Sequence, residues 1–202
     1  MKKFDVVIIG SGLGGLECGY ILSKNGYNVC ILEKNTQLGG CLQTFRRGKT
    51  LFDTGFHFVG GLDEGQFLHK LFRYFDLLDL PWHRMDDDCF AEVILNNKSY
   101  AISSGFERFT ETLGKEFPNQ YKQTKNYTDF LRQVGRNIEN SFSVNQNMSL
   151  FEQSAYTFLQ NTIDDTTLRN VLSGSSLTME LCREKLPLYT FAQINSSFIQ
   201  SA

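Results

Sequence analysis

The sequence has no long hydrophobic run, and this absence argues against an integral membrane protein. Nowhere do apolar residues continue for the roughly 20 positions that a membrane-spanning helix requires. The amino terminus also lacks a signal-peptide pattern, because two lysines lead into a short β-branched run that ends at a glycine turn. We therefore expect a cytoplasmic protein, with peripheral membrane association left open.

The chain also lacks an excess of charge of either sign and any C-x-x-C motif. Its formal net charge of −2 gives no electrostatic reason to expect nucleic acid as a partner. Five cysteines form an odd set, so neither a disulfide framework nor a zinc site is predicted. The acidic run at 86–88 lacks the spaced ligands of a calcium loop, and we interpret it as a solvated turn. We expect no metal ion.

What the sequence does contain is one β-α-β pattern at its start. Residues 4–9, "FDVVII", predict a strand buried on both faces of a parallel sheet, and residues 28–32 predict a second buried strand. Between them a glycine-rich turn leads into apolar residues at helical spacing. On this helix and second strand, Cys18 and Cys30 are expected in the core. The fold class is therefore α/β, of the Rossmann-like dinucleotide-binding type.

The glycines of "GSGLGG" have separate physical tasks within this unit. Gly10 permits the tight turn, Gly12 leaves no Cβ between the backbone and a diphosphate, and Gly15 lets helix and strand pack closely. The helix amino terminus then offers unpaired N–H groups to the diphosphate. Glu33, at the end of the second strand, can accept hydrogen bonds from a ribose and would repel a 2′-phosphate. The site is predicted to prefer FAD or NAD(H) to NADP(H).

A second glycine pair narrows this choice. The run "ILEKNTQLGGCLQTF", followed by "FDTGFHFVGG", resembles the flavin-containing amine oxidase and phytoene desaturase superfamily. Within it, the chain is most similar to the carotenoid isomerase and retinol saturase branch, which carries G-G-C-x-x-T-F and a downstream F-D-x-G-x-H. The matching residues here are Gly39, Gly40, Cys41, Thr44, Phe45, Phe52, Asp53, Gly55 and His57.

The resemblance implies a glutathione-reductase type of fold with FAD bound in an extended pose. NAD(H) remains an alternative cofactor or an electron donor. The expected cofactor-binding residues are Gly10, Gly12, Leu13, Gly14, Gly15, Glu33, Lys34, Gly39, Gly40, Cys41, Thr44, Gly55 and His57.

Two of these residues have competing interpretations. Cys41 replaces the arginine common in the superfamily, and a thiol cannot clamp a phosphate or flavin edge as a planar guanidinium does. It could be a redox nucleophile, a covalent flavin anchor, or simply a small residue beneath the cofactor. His57 could donate a proton to a substrate double bond or fix its loop by hydrogen bonding. It is the one candidate catalytic residue, and no other is named.

Only one β-α-β crossover is visible, whereas a doubly wound sheet needs several parallel strands. We interpret residues 1–61 as the first part of an FAD-binding domain and 62–202 as the start of a substrate or cap region. The expected partner is the carboxyl-terminal remainder of the same protein. In the second region the patterns predict a hairpin at 91–102, turning at Asn96-Asn97, and helices at 66–78, 105–116, 124–142, 150–160, 165–173 and from 187.

Eighteen phenylalanines, many on these helices, fit either core packing or an apolar tunnel for a polyene, part of which could contact a membrane. The leading functional hypothesis is an FAD-dependent oxidoreductase that acts on carbon–carbon double bonds of an apolar isoprenoid or polyene. A flavin amine oxidase is a second hypothesis, disfavoured by Cys41. A nucleotide-binding fragment or subunit without catalysis is a third.

Overall fold

A computed structural model describes residues 3–55, 57–140, 148–180 and 182–201. It divides into two compact units. Unit 1 comprises Met1–Phe58 with Phe72–Leu77, and unit 2 comprises Val59–Leu71 with Leu78–Ala202. The functional division after residue 61 remains a prediction.

Unit 1 begins with the predicted β-α-β element. Strand β1 (Val6–Ile9) pairs in parallel with β2 (Val29–Leu32), and helix α1 (Leu13–Lys24) connects them. The helix lies close to the sheet at Gly19, where an added Cβ would come 2.9 Å from Cδ1 of Ile31. A parallel pair needs such a crossover, so the order strand, helix, strand in the sequence determines this topology.

The burial predicted for this element is wrong. Val7 is 54% exposed, Ile9 88% and Leu32 53%, because β1 and β2 form a sheet of only two strands within the described ranges. Cys18 is also exposed and Cys30 only half-buried, so the expectation that both lie in the core is not met. Strand patterning indicates the side chains that a complete sheet would bury, and such burial requires neighbours that these strands do not have here.

An antiparallel hairpin follows this element. Its strands are β3 (Thr44–Arg47) and β4 (Thr50–Asp53). Opposite each other on the hairpin, Phe45 and Phe52 stack with ring centroids 5.2 Å apart. Cross-strand aromatic pairs stabilise such ladders, which explains a strand in a segment without alternating polarity.

Unit 2 contains the second hairpin, and here the prediction is confirmed. β5 (Ala91–Leu95) and β6 (Lys98–Ile102) pair antiparallel around Asn96 and Asn97. Both asparagines have positive φ, 50° and 62°. Asparagine tolerates this left-handed conformation, and two such residues in sequence give the hairpin turn whose twist matches the strands.

The remaining elements are helical, as expected. They are α2 (Phe67–Tyr74), α3 (Phe106–Glu116), α4 (Tyr121–Asn140), α5 (Met148–Glu152), α6 (Ala155–Thr162), α7 (Thr166–Leu172) and α8 (Leu188–Gln200). Several bounds differ from prediction. Helix α2 ends at Tyr74 and not at residue 78, and α4 begins at Tyr121 and not at residue 124. The single helix expected at 150–160 begins at Met148 and is broken before Ala155. The predicted end of α4 at residues 141–142 falls outside the described residues.

The break between α5 and α6 has a tertiary cause. Ser154 forms an isolated antiparallel bridge with Pro187, and the backbone N–H of Ala155 donates to the carbonyl of Leu186 at 2.9 Å. These bonds hold the backbone extended at the start of α6. A contact across more than 30 residues is not visible in local periodicity.

The core of unit 2 lies where α4 packs against α8. Leu131 and Phe191 are fully buried there, and Tyr127 is 1% exposed. This burial raises the pKa of the Tyr127 phenol. Phe109 joins the same cluster, so these two phenylalanines serve core packing. In the described part of the chain, no helix combines the length and apolar character needed to cross a bilayer.

Candidate dinucleotide-binding site

The first glycine loop joins β1 to α1 by a sharp turn. Gly10 has φ +98°, and its N–H donates to the carbonyl of Leu32 at 2.7 Å. A Cβ on Gly15 would lie 2.1 Å from the carbonyl oxygen of Gly10. Any side chain at residue 15 would therefore push the start of the helix away from the strand. The structure gives this position a packing role.

Space remains open on the ligand side of the same loop. A Cβ added at Gly12 or Gly14 would meet no protein atom within 4 Å. Gly12 caps α1, and as a glycine it has no side chain with which to accept from the first turn of this helix. The first N–H groups of a helix lack intrahelical partners and carry partial positive charge. The loop thus fits a diphosphate, because its backbone N–H groups can donate hydrogen bonds and the glycines leave space for the diphosphate to come close to the backbone.

Glu33 is held at the edge of this loop by the protein itself. Its Oε1 accepts from the N–H of Asn35 at 2.9 Å, and its Oε2 accepts from the N–H and hydroxyl of Ser11 at 2.9 and 2.7 Å. These donors, that of Asn35 first, lower the pKa of Glu33 from 4.5 to about 2. The carboxylate is therefore ionised at neutral pH, as selection against a 2′-phosphate requires.

Ser11 is a site residue that sequence reasoning missed. Its side chain is buried and joins the glycine loop to the acid at the end of β2. Ser11 occupies a variable position of the G-x-G-x-x-G motif, so the motif gave no reason to select it. One feature of the sequence could have identified it. Ser11 is a small hydroxyl residue two positions after a strand, and the parallel neighbour of that strand is followed by an acidic residue.

The second glycine pair lies directly against the first loop. The N–H of Gly39 donates to the carbonyl of Ser11 at 3.0 Å, and a Cβ on Gly40 would lie 2.9 Å from Cα of Gly12. Both glycines have positive φ, 105° and 57°. Two glycine motifs that are separated in the sequence thus form one backbone cluster. A side chain at residue 40 would separate the loops.

Cys41 lies in the 3-10 turn Gly40–Leu42 that follows, with an exposed side chain. Its carbonyl accepts from the Thr54 hydroxyl at 2.8 Å, and a Cβ on Gly55 would approach that carbonyl to 3.2 Å. Thr44 begins β3 opposite Asp53. The resemblance predicts that this segment lies along the flavin. In the structure it contacts β4 and the residues that follow β4.

Three predicted residues are less closely tied to this cluster. Leu13 and Lys34 are exposed next to the glycine loop and to Glu33, respectively. His57 is exposed and makes no hydrogen bond within the part of the chain that the structure describes. The roles assigned to these residues stay predictions. Among the described residues, no cluster of histidine, cysteine and carboxylate side chains could hold a metal ion.

Comparison with known proteins agrees with this geometry. Residues 8–75 match the family described as NAD(P)-binding Rossmann-like domain. The chain is 32% identical over 141 residues to all-trans-retinol 13,14-reductase of Danio rerio, an alignment covering 68% of this chain and 23% of the relative. It is 26% identical over 176 residues to 1-hydroxycarotenoid 3,4-desaturase of a Flavobacterium species, covering 81% of this chain and 35% of the relative.

Among solved structures, cyclohexylamine oxidase from Brevibacterium oxydans superimposes with a TM-score of 0.59 at 18% identity. The match covers 96% of this chain and 42% of the oxidase, and at this identity it establishes the fold alone. The predicted α/β, Rossmann-like class is thereby confirmed. The chain spans about a quarter of the length of the retinol reductases that it matches.

Proposed function

We propose, from its homology to all-trans-retinol 13,14-reductases and carotenoid desaturases, that this chain is part of an FAD-dependent oxidoreductase acting on carbon–carbon double bonds. The substrate class is an apolar isoprenoid or polyene. The observation that carries the proposal is the open glycine cluster, with Gly12 facing free space and Gly40 packed against it. Relatives that share this amino-terminal region are named for chemistry on polyenes.

The residues present fit an extended dinucleotide. The diphosphate would lie at the amino terminus of α1, above Gly12 and Gly14, and the adenosine ribose would lie at Glu33. Ser11 and Asn35 occupy three of roughly four acceptor positions on the Glu33 carboxylate. A ribose hydroxyl would take the fourth or replace the Ser11 hydroxyl. The redox chemistry, a hydride transfer, would be supplied by the flavin, while the protein binds, orients and excludes water.

A flavin amine oxidase is the second candidate, since an amine oxidase shares the fold. Cys41 argues against it, because the superfamily arginine is missing from the second glycine loop. Reduction or desaturation of an uncharged polyene does not require an arginine at this position.

We propose two partners for the whole protein. The first is the remainder of the same protein, which would cover the exposed face of the sheet at Val7, Ile9 and Leu32. The second is a membrane surface that supplies the apolar substrate. Phe45 and Phe52 stack exposed on the hairpin β3–β4, beside basic residues that suit anionic lipid. We expect the protein to sediment with anionic vesicles and not with neutral ones. Sedimentation that is unchanged when these basic residues are neutralised would contradict the proposal.

The cofactor site is tested with Gly12→Val in the 202-residue chain. The Cβ of the new side chain would enter the open space over the loop, where it meets no protein atom within 4 Å. We expect the wild-type chain to bind ADP in a calorimetric titration and the variant to lose binding at least tenfold. Thr50→Val, on β4 and exposed, is the matched control and should bind like wild type. Equal binding by Gly12→Val would refute the assigned diphosphate position.

Visible absorbance of the purified chain separates the remaining hypotheses. A flavin spectrum supports a complete cofactor site, and a colourless chain that still binds ADP supports a nucleotide-binding fragment. The substrate class is tested on the whole protein in two redox states. With the flavin chemically reduced, it is incubated with all-trans-retinol or a carotenoid; with the flavin oxidised, it is incubated with a carotenoid or a primary amine. Saturation of a double bond consumes two electrons and two protons. If amines alone exchange electrons with the flavin, the polyene proposal fails.

A further inference from the structure

A cavity of about 290 Å³ opens on unit 2 between three helices. Helix α3 contributes Phe106 and Glu107, and helix α8 contributes Ser196 and Gln200. From α4 come Arg132, Gly135 and Arg136. The volume is at the lower end of the range for small-molecule sites. It involves unit 2 alone and has no part in the proposed function of the glycine cluster.

The base of the cavity is made of small residues. A Cβ on Gly135 would lie 2.3 Å from Oγ of Ser196, which is itself buried. Helices α4 and α8 therefore approach closely at this point. The cavity results from this choice of small residues between larger neighbours.

The walls carry an unbalanced positive charge. Arg132 forms an ion pair with Glu107, and its guanidinium lies 4.9 Å from the ring centroid of Phe106. Arg136, one helical turn further on, has no carboxylate within ion-pair distance in the described residues. Two arginines and one glutamate leave one net positive charge. The arginine pairing also lowers the pKa of Glu107, so its carboxyl group is ionised at neutral pH.

An unmet hydrogen-bond donor points the same way. Nε of Arg132 is buried and has no hydrogen-bond partner in the structure as described. A buried donor on a charged group that lacks an acceptor is costly and calls for a ligand or solvent to satisfy it. Arginine guanidinium groups match carboxylate and phosphate oxygens, which would supply that acceptor.

We propose that this cavity binds the carboxylate group of a small organic acid, with the ring of Phe106 against its apolar part. A carboxylate carries a single negative charge, which equals the net positive charge of the walls. A phosphate monoester carries nearly two, and Glu107 at the wall would oppose the second. Arg136 is the primary partner of the ligand, since Arg132 already has Glu107.

The test is a calorimetric titration of the 202-residue chain with octanoate, and with octylamine and octanol as cationic and neutral analogues. We expect octanoate to bind at one site and both analogues to bind at least tenfold more weakly. Arg136→Gln should weaken octanoate binding about tenfold, which corresponds to about 1.4 kcal/mol. Arg136→Lys keeps the charge but loses the planar fork, and should lie between wild type and Arg136→Gln.

Arg73→Gln, at an exposed position of α2, is the matched control and should leave octanoate binding unchanged. Circular dichroism and the urea midpoint check that each variant is folded. Octanoate binding that is insensitive to Arg136→Gln, or equal binding of octanol, would overturn the site. Stronger binding of inorganic phosphate than of octanoate would overturn the carboxylate assignment.

Discussion

Two adjacent glycines offer a direct test of the packing at the start of α1. Gly14 and Gly15 belong to the same helical turn, but a Cβ on Gly14 would meet nothing within 4 Å, whereas one on Gly15 would lie 2.1 Å from the Gly10 carbonyl oxygen. Replacing either glycine by alanine makes the same chemical change. Any difference between the two variants therefore reports the contact with Gly10.

The expected magnitudes have opposite signs. Alanine is more favourable than glycine in a helix by up to about 1 kcal/mol, so Gly14→Ala should stabilise unit 1 by up to that amount. At Gly15 the new methyl group is more than about 1 Å too close to backbone, and overpacking of this kind costs roughly 1–3 kcal/mol. After the helix-propensity gain, Gly15→Ala should destabilise by up to about 2 kcal/mol. The propensity gain is common to both variants, so they should differ by the overpacking cost alone, roughly 1–3 kcal/mol.

Hydrogen exchange of the backbone amides in β1 and β2 measures this difference locally. This choice matters because the chain has two units and a single global unfolding transition is not assured. The one tryptophan, Trp82, lies in unit 2, so its fluorescence serves as the internal control and should not respond. Equal opening free energies for Gly14→Ala and Gly15→Ala would refute the close approach at Gly10.

Three further predictions concern the same unit and the second hairpin. Gly40→Ala and Gly48→Ala both place a side chain at positive φ, 57° and 60°, at a cost of about 1–2 kcal/mol each, but only residue 40 touches Gly12. ADP affinity measured by calorimetry should therefore fall in Gly40→Ala alone, and equal losses would contradict the contact between the loops. Because the pKa of Glu33 is lowered, its stabilisation is present above about pH 4.5 and is lost as the pH falls toward 2. In urea unfolding, Glu33→Gln should show a smaller stability loss across that window than wild type; parallel curves for the two proteins would refute the hydrogen bonding. The φ of Asn97 is +62°, which glycine adopts more easily than asparagine and alanine less easily. Asn97→Gly should therefore raise the thermal unfolding midpoint. Asn97→Ala should lower that midpoint, with a loss of about 1 kcal/mol in the free energy of unfolding; the reverse order would exclude the assigned turn.

The parts of the fold that follow local rules were predictable. The β-α-β element and the turn at Asn96 and Asn97 depend on periodicity and on residues that tolerate positive φ, and both were located from the sequence. The break before α6 was not, because it depends on a bridge between Ser154 and Pro187. Burial of β1 was also mispredicted, since it depends on neighbouring strands and not on the residues of β1.

The same division applies to the candidate site. The tasks of Gly10, Gly12 and Gly15 follow from a recurrent local motif, and the structure places these residues as that motif requires. The contact of Gly40 with Gly12 and the bond from Ser11 to Glu33 join segments that are more than 20 residues apart. The spacing along the sequence does not show that these segments lie close together in space. The resemblance indicated that residues 39 and 40 matter, but not that they support the first loop.

The bonds from Ser11 and Asn35 to Glu33 have a consequence for how the protein matures. Because the chain supplies its own donors to this carboxylate, the bonds that hold Glu33 beside the glycine loop do not require a nucleotide. The conformational entropy of that loop is lost during folding, so binding of the cofactor does not include this entropic cost. On the proposed function, the cofactor would then bind to the folded chain as a step that follows folding.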